Sequence, residues 1–466
     1  MKYKILIKRC AEPQRAQAIA AEVARWSGST PDVVYNAIVQ KAICIRKEAD
    51  ENEARALQAQ FGGIGAEVEL VPLENRAAAA FAAAPAAVPA AAAAKRGMKL
   101  YNFNIGDPNK WDFETPEYFK STLRNAVDSI DNGYGDSQGN VSLREAIVKR
   151  EFEKHGARID ADHVYVTSGV SEGINVLMAT LLERGDEVLL PGPGYPSYAQ
   201  YVTFYGGRVV SYRQIEEEDW RLDTDMIRKR ITDRTRAIVV INPNNPTSAV
   251  YSEKTIREIG DIAAEHGIPM VSDEIYDKLM FDGEFFSASR LPSDVPRIIF
   301  NGFSKVNLMP GWREGYCYFM YENDFMDEIR EGMMKQFRTR ICPNVPCQEA
   351  ARVSLQGPQD YILEMNRKLK ERGDFSYKRL NEIPGITTNK AKGAFYLFPK
   401  VELYGWKTDK DFVIDLINEE GVVFVHGSGF SEEFGQGHFR TILLPPMGAL
   451  EEAYDRLEKF MVRHSR

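Results

Sequence analysis

Short apolar runs alternate with helical segments over most of the chain after residue 97. The runs HVYVTSG, DEVLLPGP, RVVSYR, AIVVINP, PMVSDE, IIFNGFSK and GYCYFM predict strands, and segments such as SEGINVLMATLLERG and SEKTIREIGDIAAEHG predict helices between them. This rhythm predicts an α/β fold with a large, mainly parallel sheet and helices on both faces. We assign residues 98–360 to this large domain with an N-terminal arm, and residues 361–466 to a smaller C-terminal α/β lobe that begins with the helix DYILEMNRKLKERGD.

The first 75 residues have a pattern of their own. KYKILIKR, KAICIRK and AEVELVPL predict strands, and EPQRAQAIAAEVARW, TPDVVYNAIVQ and ENEARALQAQFGGIG predict helices, the last ended by glycines. The order β-α-α-β-α-β predicts a small α+β domain, and it is similar in pattern to the C-terminal domain of the ribosomal stalk protein and to the Clp protease adaptor. An interaction or regulatory module and a passive stability or solubility appendage both fit.

Residues 76–97 join the two parts. They read RAAAAFAAAPAAVPAAAAAKRG, in which alanine favours helix and two prolines interrupt it. This composition predicts a semi-rigid linker. A buried alanine helix is the alternative.

Composition and charge exclude several classes of function. The 466 residues carry a net charge of −8, which disfavours binding to nucleic acid through phosphate neutralisation. Five cysteines without a CxxC pair and six histidines without ligand spacing predict neither a disulfide framework nor a metal site, as in a reducing cytoplasm. No window approaches the roughly 20 apolar residues of a membrane span, and the first apolar stretch is too short for a signal peptide.

Candidate chemistry lies where the predicted strands end. Gly169 and Ser171, Asn245, Asp273 and Lys305 each follow an apolar run, and ligands collect at the carboxyl ends of parallel strands. A lysine in partly apolar surroundings has a lowered pKa and can form a Schiff base. An aspartate after a buried strand can keep a pyridinium nitrogen protonated. Taken singly, Lys305 also fits a solvated surface charge, Asn245 a turn residue and Asp273 a helix N-cap.

Neighbouring residues complete a possible cofactor pocket. Tyr276 can donate to a phenolic oxygen, and Tyr195 can stack on a planar ring. The turn VTSGVSEG before a helix offers N–H groups of residues such as Val170 to an anion, and Arg313 adds a positive charge. Without a cofactor, Tyr276 would be an ordinary core tyrosine and Tyr195 would pack within its loop.

Four segments together carry a family resemblance. SDEIYDK, NPNNPTS, NGFSK with Arg313 eight residues later, and HFRTILLPP resemble the fold-type I, pyridoxal-phosphate-dependent aminotransferases of the aspartate aminotransferase superfamily, over about residues 97–466. INIGDPNKWDF, GYGDSQG and VVFVHGSGFSEEFGQGHFRTILLP resemble the alanine aminotransferase branch.

The resemblance implies a role for each matching residue around the cofactor ring. Lys305 would form the Schiff base with pyridoxal 5′-phosphate and carry the proton. Asp273 would pair with the ring nitrogen. Tyr276 and Asn245 would bind the phenolic oxygen, and Tyr195 would stack on the ring. Lys305, Asp273 and Tyr276 are therefore the catalytic candidates.

The resemblance also implies which residues bind the phosphate and that a second subunit takes part in the site. Val170, Ser171 and Arg313 would hold the phosphate. Tyr134 matches the tyrosine that reaches the phosphate of the neighbouring subunit. The resemblance therefore implies a homodimer with shared active sites.

The implied substrates are an L-amino acid and a 2-oxo acid. Arg440 would pair with the α-carboxylate in a bidentate manner, and Gly106 and Asn245 would help to seat it. The expected reaction exchanges an amino group between alanine or glutamate and pyruvate or 2-oxoglutarate by a ping-pong mechanism. The sequence shows no obvious second arginine for a distal carboxylate.

Two departures from the family pattern concern turns. Ser248 stands where N-P-T-G has glycine, which predicts an altered backbone turn. The phosphate turn reads SGVSEG, without the paired glycines and the following glutamine of the family. Both departures affect details of binding and leave every catalytic group in place.

Alternatives remain within and outside the class. An aspartate or aromatic aminotransferase is the alternative within the class. A lyase that uses the same cofactor is harder to exclude, because it would have the same cofactor pocket. An aminotransferase-like transcription regulator should begin with a basic winged helix-turn-helix, whereas residues 1–75 are near neutral and strand-rich. An inactive scaffold is disfavoured by the intact Lys305, Asp273 and Arg440.

Overall fold

A computed structural model describes residues 2–40, 42–73, 89–90, 92–94, 96–129 and 132–465. The chain divides into two compact units, residues 1–79 and residues 80–466. Residues 74–88, which contain most of the predicted linker, lie outside the described residues. In the part of the chain that is described, no helix is long and apolar enough to cross a membrane.

The N-terminal unit is a three-stranded antiparallel sheet with three helices. Its strands lie in the order β2-β1-β3, and the elements follow the chain as β-α-α-β-α-β. Buried side chains such as Ile5, Ile19 and Phe61 form its core. The elements are β1 Lys2–Ile7, α1 Pro13–Ser27, α2 Pro31–Gln40, β2 Ile43–Asp50, α3 Glu51–Gly63 and β3 Val68–Leu73.

The second unit is built on an eight-stranded sheet. Its order is β5-β12-β11-β10-β9-β6-β7-β8, and the pairs between β11 and β7 are all parallel. Strand β12 runs antiparallel to both its neighbours, and β8 is antiparallel to β7. The expected mainly parallel sheet is therefore confirmed. The strands are β5 Val164–Thr167, β6 Glu187–Gly192, β7 Arg208–Ile215, β8 Arg221–Leu222, β9 Thr235–Ile241, β10 Met270–Asp273, β11 Arg297–Gly302 and β12 Gly315–Met320.

Helices connect and cover these strands. Most are closed by local signals in the sequence: Ser252 accepts a hydrogen bond from Thr255 N at the start of one helix, and Gly267 ends it with φ 59°. The helices are α4 Glu117–Ser129, α5 Val141–His155, α6 Val170–Leu181, α7 Pro196–Phe204, α8 Thr224–Arg230, α9 Glu253–His266, α10 Asp327–Thr339 and α11 Val345–Gln356.

The C-terminal lobe combines three helices with short strands. Strand Tyr101–Asn102 (β4) pairs in parallel with Val422–Val423, so the start of this unit packs with its C-terminal part. Tyr101 and Phe103 accordingly share one hydrophobic core with the lobe. The elements are α12 Asp360–Glu382, β13 Ile386–Thr387, β14 Tyr396–Leu397, β15 Lys400–Val401, α13 Asp409–Glu420, β16 Val422–Val423, β17 Val425–His426, β18 Phe439–Ile442 and α14 Met447–His464.

Candidate active site

Three adjacent parallel strands deliver polar groups to one edge of the large sheet. Asp273 is the last residue of β10 and aligns with Ile241 at the end of β9 and with Phe300 in β11. Asn245 and Lys305 follow β9 and β11 within a few residues. The strand register therefore explains why residues far apart in sequence meet here.

The amine of Lys305 is held in a partly buried position. Its Nζ donates to the carbonyl oxygen of Gly106 at 2.7 Å and lies 5.7 Å from the centre of the Phe395 ring. Burial lowers the pKa of Lys305 to about 8, and the nearby positive charges of Arg440 and Arg313 act in the same direction. Compared with an ordinary lysine, a larger fraction of this amine is neutral and nucleophilic near neutral pH.

The carboxyl group of Asp273 is almost fully buried. Its oxygens accept hydrogen bonds from the Tyr198 hydroxyl at 3.2 Å and from Ile275 N at 3.3 Å. Burial raises the pKa of Asp273 to about 6, while these hydrogen bonds and Lys305 oppose the rise. A cation placed beside this carboxylate would be stabilised strongly, because little water competes there.

Tyr276 and Asn245 enter the same pocket from two loops. The Tyr276 hydroxyl lies 2.9 Å from the hydroxyl of Tyr396, and burial raises its pKa. The Asn245 Oδ1 atom accepts from Arg440 Nη1 at 3.1 Å. The structure thus brings the predicted ring-binding residues together with the predicted carboxylate-binding arginine.

The guanidinium of Arg440 is buried and partly unpaired. Its Nη2 donates to the Asn104 carbonyl oxygen at 2.5 Å, whereas its Nε has no hydrogen-bond partner among the described residues. The guanidinium carbon lies 4.7 Å from the ring centre of Tyr396 and 4.9 Å from that of Phe430. A buried donor without a partner is unfavourable, so this arginine is suited to a planar anion such as a carboxylate.

The predicted anion turn lies between β5 and α6. The pairing of Thr167 with Gly315 brings Arg313 beside it, and Arg313 Nη2 lies 3.4 Å from the Ser168 carbonyl oxygen. A Cβ atom on Gly169 would lie 2.2 Å from that Nη2, and the backbone with φ 71° also favours glycine at this position. Val170 and Ser171 form the first turn of α6, where backbone N–H groups lack helical acceptors.

The last two predicted residues are tyrosines that differ in exposure. Tyr195 is half-buried at the N-cap of α7, close enough to Tyr276 and Arg440 to influence the pKa of each. Tyr134 is 84% exposed.

The turn that contains Ser248 uses a backbone conformation that glycine favours. Ser248 has φ 58°, in the left-handed region. Its hydroxyl donates to the Tyr396 carbonyl oxygen at 2.7 Å and accepts from Tyr396 N at 3.0 Å. The hydroxyl therefore connects this turn to Tyr396, and a turn altered relative to the family pattern stays a prediction. In the phosphate turn, Glu172 accepts from Ser168 N at 2.6 Å.

Sequence reasoning missed several residues that support the site. Tyr396 and Asn104 could be found only from contacts between distant segments. Tyr198 lies one helical turn after Tyr195, which was an available signal. Behind the loop that carries Tyr276, the buried carboxylate of Asp277 pairs with Arg150 and fixes that loop.

Comparison with known proteins identifies the family. The family described as "Aminotransferase class I and II" matches residues 99–457. The chain belongs to the class I and II aminotransferases. It is therefore a pyridoxal-5′-phosphate-dependent enzyme, as its site residues led us to expect. In the described ranges, no group of three or more His, Cys, Asp or Glu side chains could hold a metal ion.

Several named aminotransferases are similar over most of their length. An alanine aminotransferase structure from Pyrococcus furiosus is 52% identical, with a TM-score of 0.81, over 84% of this chain and 100% of that one. The glutamate-pyruvate aminotransferase AlaA of Haemophilus influenzae is 38% identical over 79% of this chain and 92% of its own. Aromatic-amino-acid aminotransferase 2 of Thermococcus litoralis is 37% identical over 78% of this chain and 92% of its own.

The pocket of this aminotransferase fits the cofactor on three independent observations. Lys305 offers an amine of lowered pKa, and Asp273 offers a buried carboxylate for a ring nitrogen. The missing side chain of Gly169 lets the Arg313 guanidinium come close to the N-terminus of α6, so that a positive charge and free backbone N–H groups lie together, as an anion requires. The amine of Lys305 matches the aldehyde of the cofactor, the carboxylate of Asp273 its pyridine ring, and the surroundings of Gly169 and Arg313 its phosphate.

Proposed function

We propose that this aminotransferase exchanges the amino group between alanine or glutamate and pyruvate or 2-oxoglutarate. One observation carries the proposal. The carbonyl groups of Asn104 and Gly106 hold the Arg440 guanidinium and the Lys305 amine, so a carboxylate site and a reactive amine lie side by side. Residues two positions apart have Cα atoms separated by at most about 7 Å, which suits a small α-amino acid.

Each predicted residue has a function in this proposal. When bound, pyridoxal phosphate supplies an aldehyde that exchanges amines and a ring that takes up electrons as the α-proton leaves. Asp273 holds the proton on the ring nitrogen. Arg440 orients the substrate through its carboxylate, and Lys305 Nζ removes the proton from the substrate α-carbon and returns it within the site. Tyr276 and Asn245 donate hydrogen bonds to the phenolic oxygen.

The remaining cofactor contacts belong to the same proposal. Val170, Ser171 and Arg313 bind the phosphate, and Tyr195 packs on the ring. The exposed Tyr134 completes the site of a second copy, which makes the enzyme a homodimer. Gly106 helps to seat the substrate carboxylate, and it allows the Tyr396 hydroxyl to approach the backbone closely, because a Cβ there would lie 2.3 Å from that oxygen.

The division of labour along the chain is also proposed. Residues 1–75 form a separate interaction or regulatory module, residues 76–97 a linker, residues 98–360 the cofactor-binding domain and residues 361–466 the small domain. The five cysteines are free thiols, which supports a reducing cytoplasmic location.

An amino-donor panel tests the substrate assignment. Purified enzyme is mixed with alanine, glutamate, aspartate, phenylalanine or tyrosine, and the cofactor absorbance is followed before pyruvate or 2-oxoglutarate is added. We expect alanine and glutamate to react fastest and both oxo acids to restore the starting spectrum. A preference for aspartate or an aromatic donor would refute the assignment, and the similarity to the aromatic enzyme of T. litoralis makes that comparison necessary.

A further inference from the structure

Strand β14 lies at the edge of a three-stranded sheet, next to β18, which carries Arg440. On its other side, no strand pairs with Tyr396 among the described residues. The Ser248 hydroxyl binds both backbone groups of Tyr396 there, at 2.7 Å to the carbonyl oxygen and 3.0 Å to the nitrogen. One side chain therefore performs the hydrogen bonding that a neighbouring strand would otherwise provide.

Backbone conformation alone does not explain a serine at this position. With φ 58°, residue 248 would be less strained as glycine, and the family pattern has glycine here. Ser248 is also completely buried. A buried hydroxyl in an unfavourable conformation is retained most simply because of the two hydrogen bonds that it makes.

Tyr396 connects this serine to the active site. Its hydroxyl lies 2.9 Å from that of Tyr276, its ring lies 4.7 Å from the Arg440 guanidinium, and its hydroxyl closely approaches Gly106. A displacement of Tyr396 would therefore move a carboxylate ligand and a cofactor ligand together.

A second set of hydrogen bonds fixes the same segment. The Ser248 carbonyl oxygen accepts from Lys392 N at 3.1 Å and from Gly393 N at 3.2 Å. Ala394 N donates to the Leu279 carbonyl oxygen at 2.9 Å. The backbone before Tyr396 is thus already anchored, so removal of the hydroxyl should release Tyr396 locally and leave the loop folded.

We propose that Ser248 is a positioning residue for the substrate-carboxylate site. Its hydroxyl fixes Tyr396, and Tyr396 in turn sets the plane of the Arg440 guanidinium and the direction of the Tyr276 hydroxyl. This inference rests on the aminotransferase function proposed above.

Substitution by glycine is the sharpest test, because glycine favours the observed φ and removes only the side chain. In Ser248→Gly we expect kcat/KM for alanine to fall about tenfold, mainly through KM, since a displacement below 1 Å should have less effect than the roughly 100-fold loss for 1 Å. The pH at which the cofactor absorbance changes should shift, because Tyr276 is reoriented. Ser248→Ala should show the same changes, since it also lacks the hydroxyl.

Ser376→Ala is the matched control. Ser376 is also fully buried and bonded to a tyrosine hydroxyl, that of Tyr454, at 3.0 Å. We expect this variant to lose thermal stability while KM and the absorbance titration stay unchanged. If Ser248→Gly behaves like Ser376→Ala, the positioning role is overturned. If the unmodified enzyme binds the cofactor but transfers no amino group from any donor, the proposed function itself fails.

Discussion

Replacement of Arg440 by leucine tests the carboxylate site most directly. Within the described part of the chain, the guanidinium has an unpaired Nε, and its two other nitrogens donate hydrogen bonds to Asn245 and Asn104. A bidentate carboxylate pair contains two charge-assisted hydrogen bonds of about 1.5–3 kcal/mol each. Their loss amounts to about 3–6 kcal/mol, or roughly a 10²- to 10⁴-fold fall in kcat/KM.

The assay compares an amine substrate that has a carboxylate with one that lacks it. The first half-reaction is followed by cofactor absorbance with L-alanine and with ethylamine, which lacks the carboxylate. We expect Arg440→Leu to lose the preference for alanine while its slow reaction with ethylamine changes little. The preference of Arg440→Lys for alanine should lie between that of the unmodified enzyme and that of Arg440→Leu, because lysine keeps the charge and loses the planar fork. If Arg440→Leu still prefers alanine by the original factor, another group binds the carboxylate and our reasoning is refuted.

Three further predictions concern the amine, its charge and the N-terminal unit. Lys305→Ala should abolish turnover while the cofactor still binds without a covalent bond, as shown by a bound cofactor that borohydride treatment does not attach to the protein; turnover at the normal rate would contradict the role of Lys305. Because the pKa of Lys305 is lowered to about 8 and only the neutral amine attacks an aldehyde, cofactor uptake by the apoenzyme should accelerate as the pH rises through 8 and level off above about 9. Acceleration that continues beyond pH 10 would mean an ordinary lysine. Deletion of residues 1–90 should leave kcat and KM largely unchanged; a folded but inactive truncation would show that this region contributes to the site.

Much of the site could be predicted because its residues follow strands. An apolar run that ends in a polar residue is a local signal, and parallel strands bring such ends together; Asp273 and Lys305 were found in this way. The mainly parallel sheet followed from the same alternation.

Other features depend on contacts that no local pattern records. The role of Tyr396 arises from the pairing of β14 with β18 and from Ser248, a residue 148 positions away. The pairing of β4 with β16, a strand more than 300 residues later, is a contact of the same kind. In the sequence, Ser248 is only a departure from a motif, and the structure gives its hydroxyl a partner in Tyr396.

The hydrogen bond from Arg440 to the Asn104 carbonyl oxygen has a consequence for biosynthesis. The two residues are 336 positions apart. At about 5–20 residues per second, a ribosome needs roughly 17–67 s to travel from one codon to the other. The nascent chain must therefore keep its early segment available until translation is almost complete, and a polypeptide stalled shortly before Arg440 would contain Lys305 but lack the arginine that we propose to bind the substrate carboxylate.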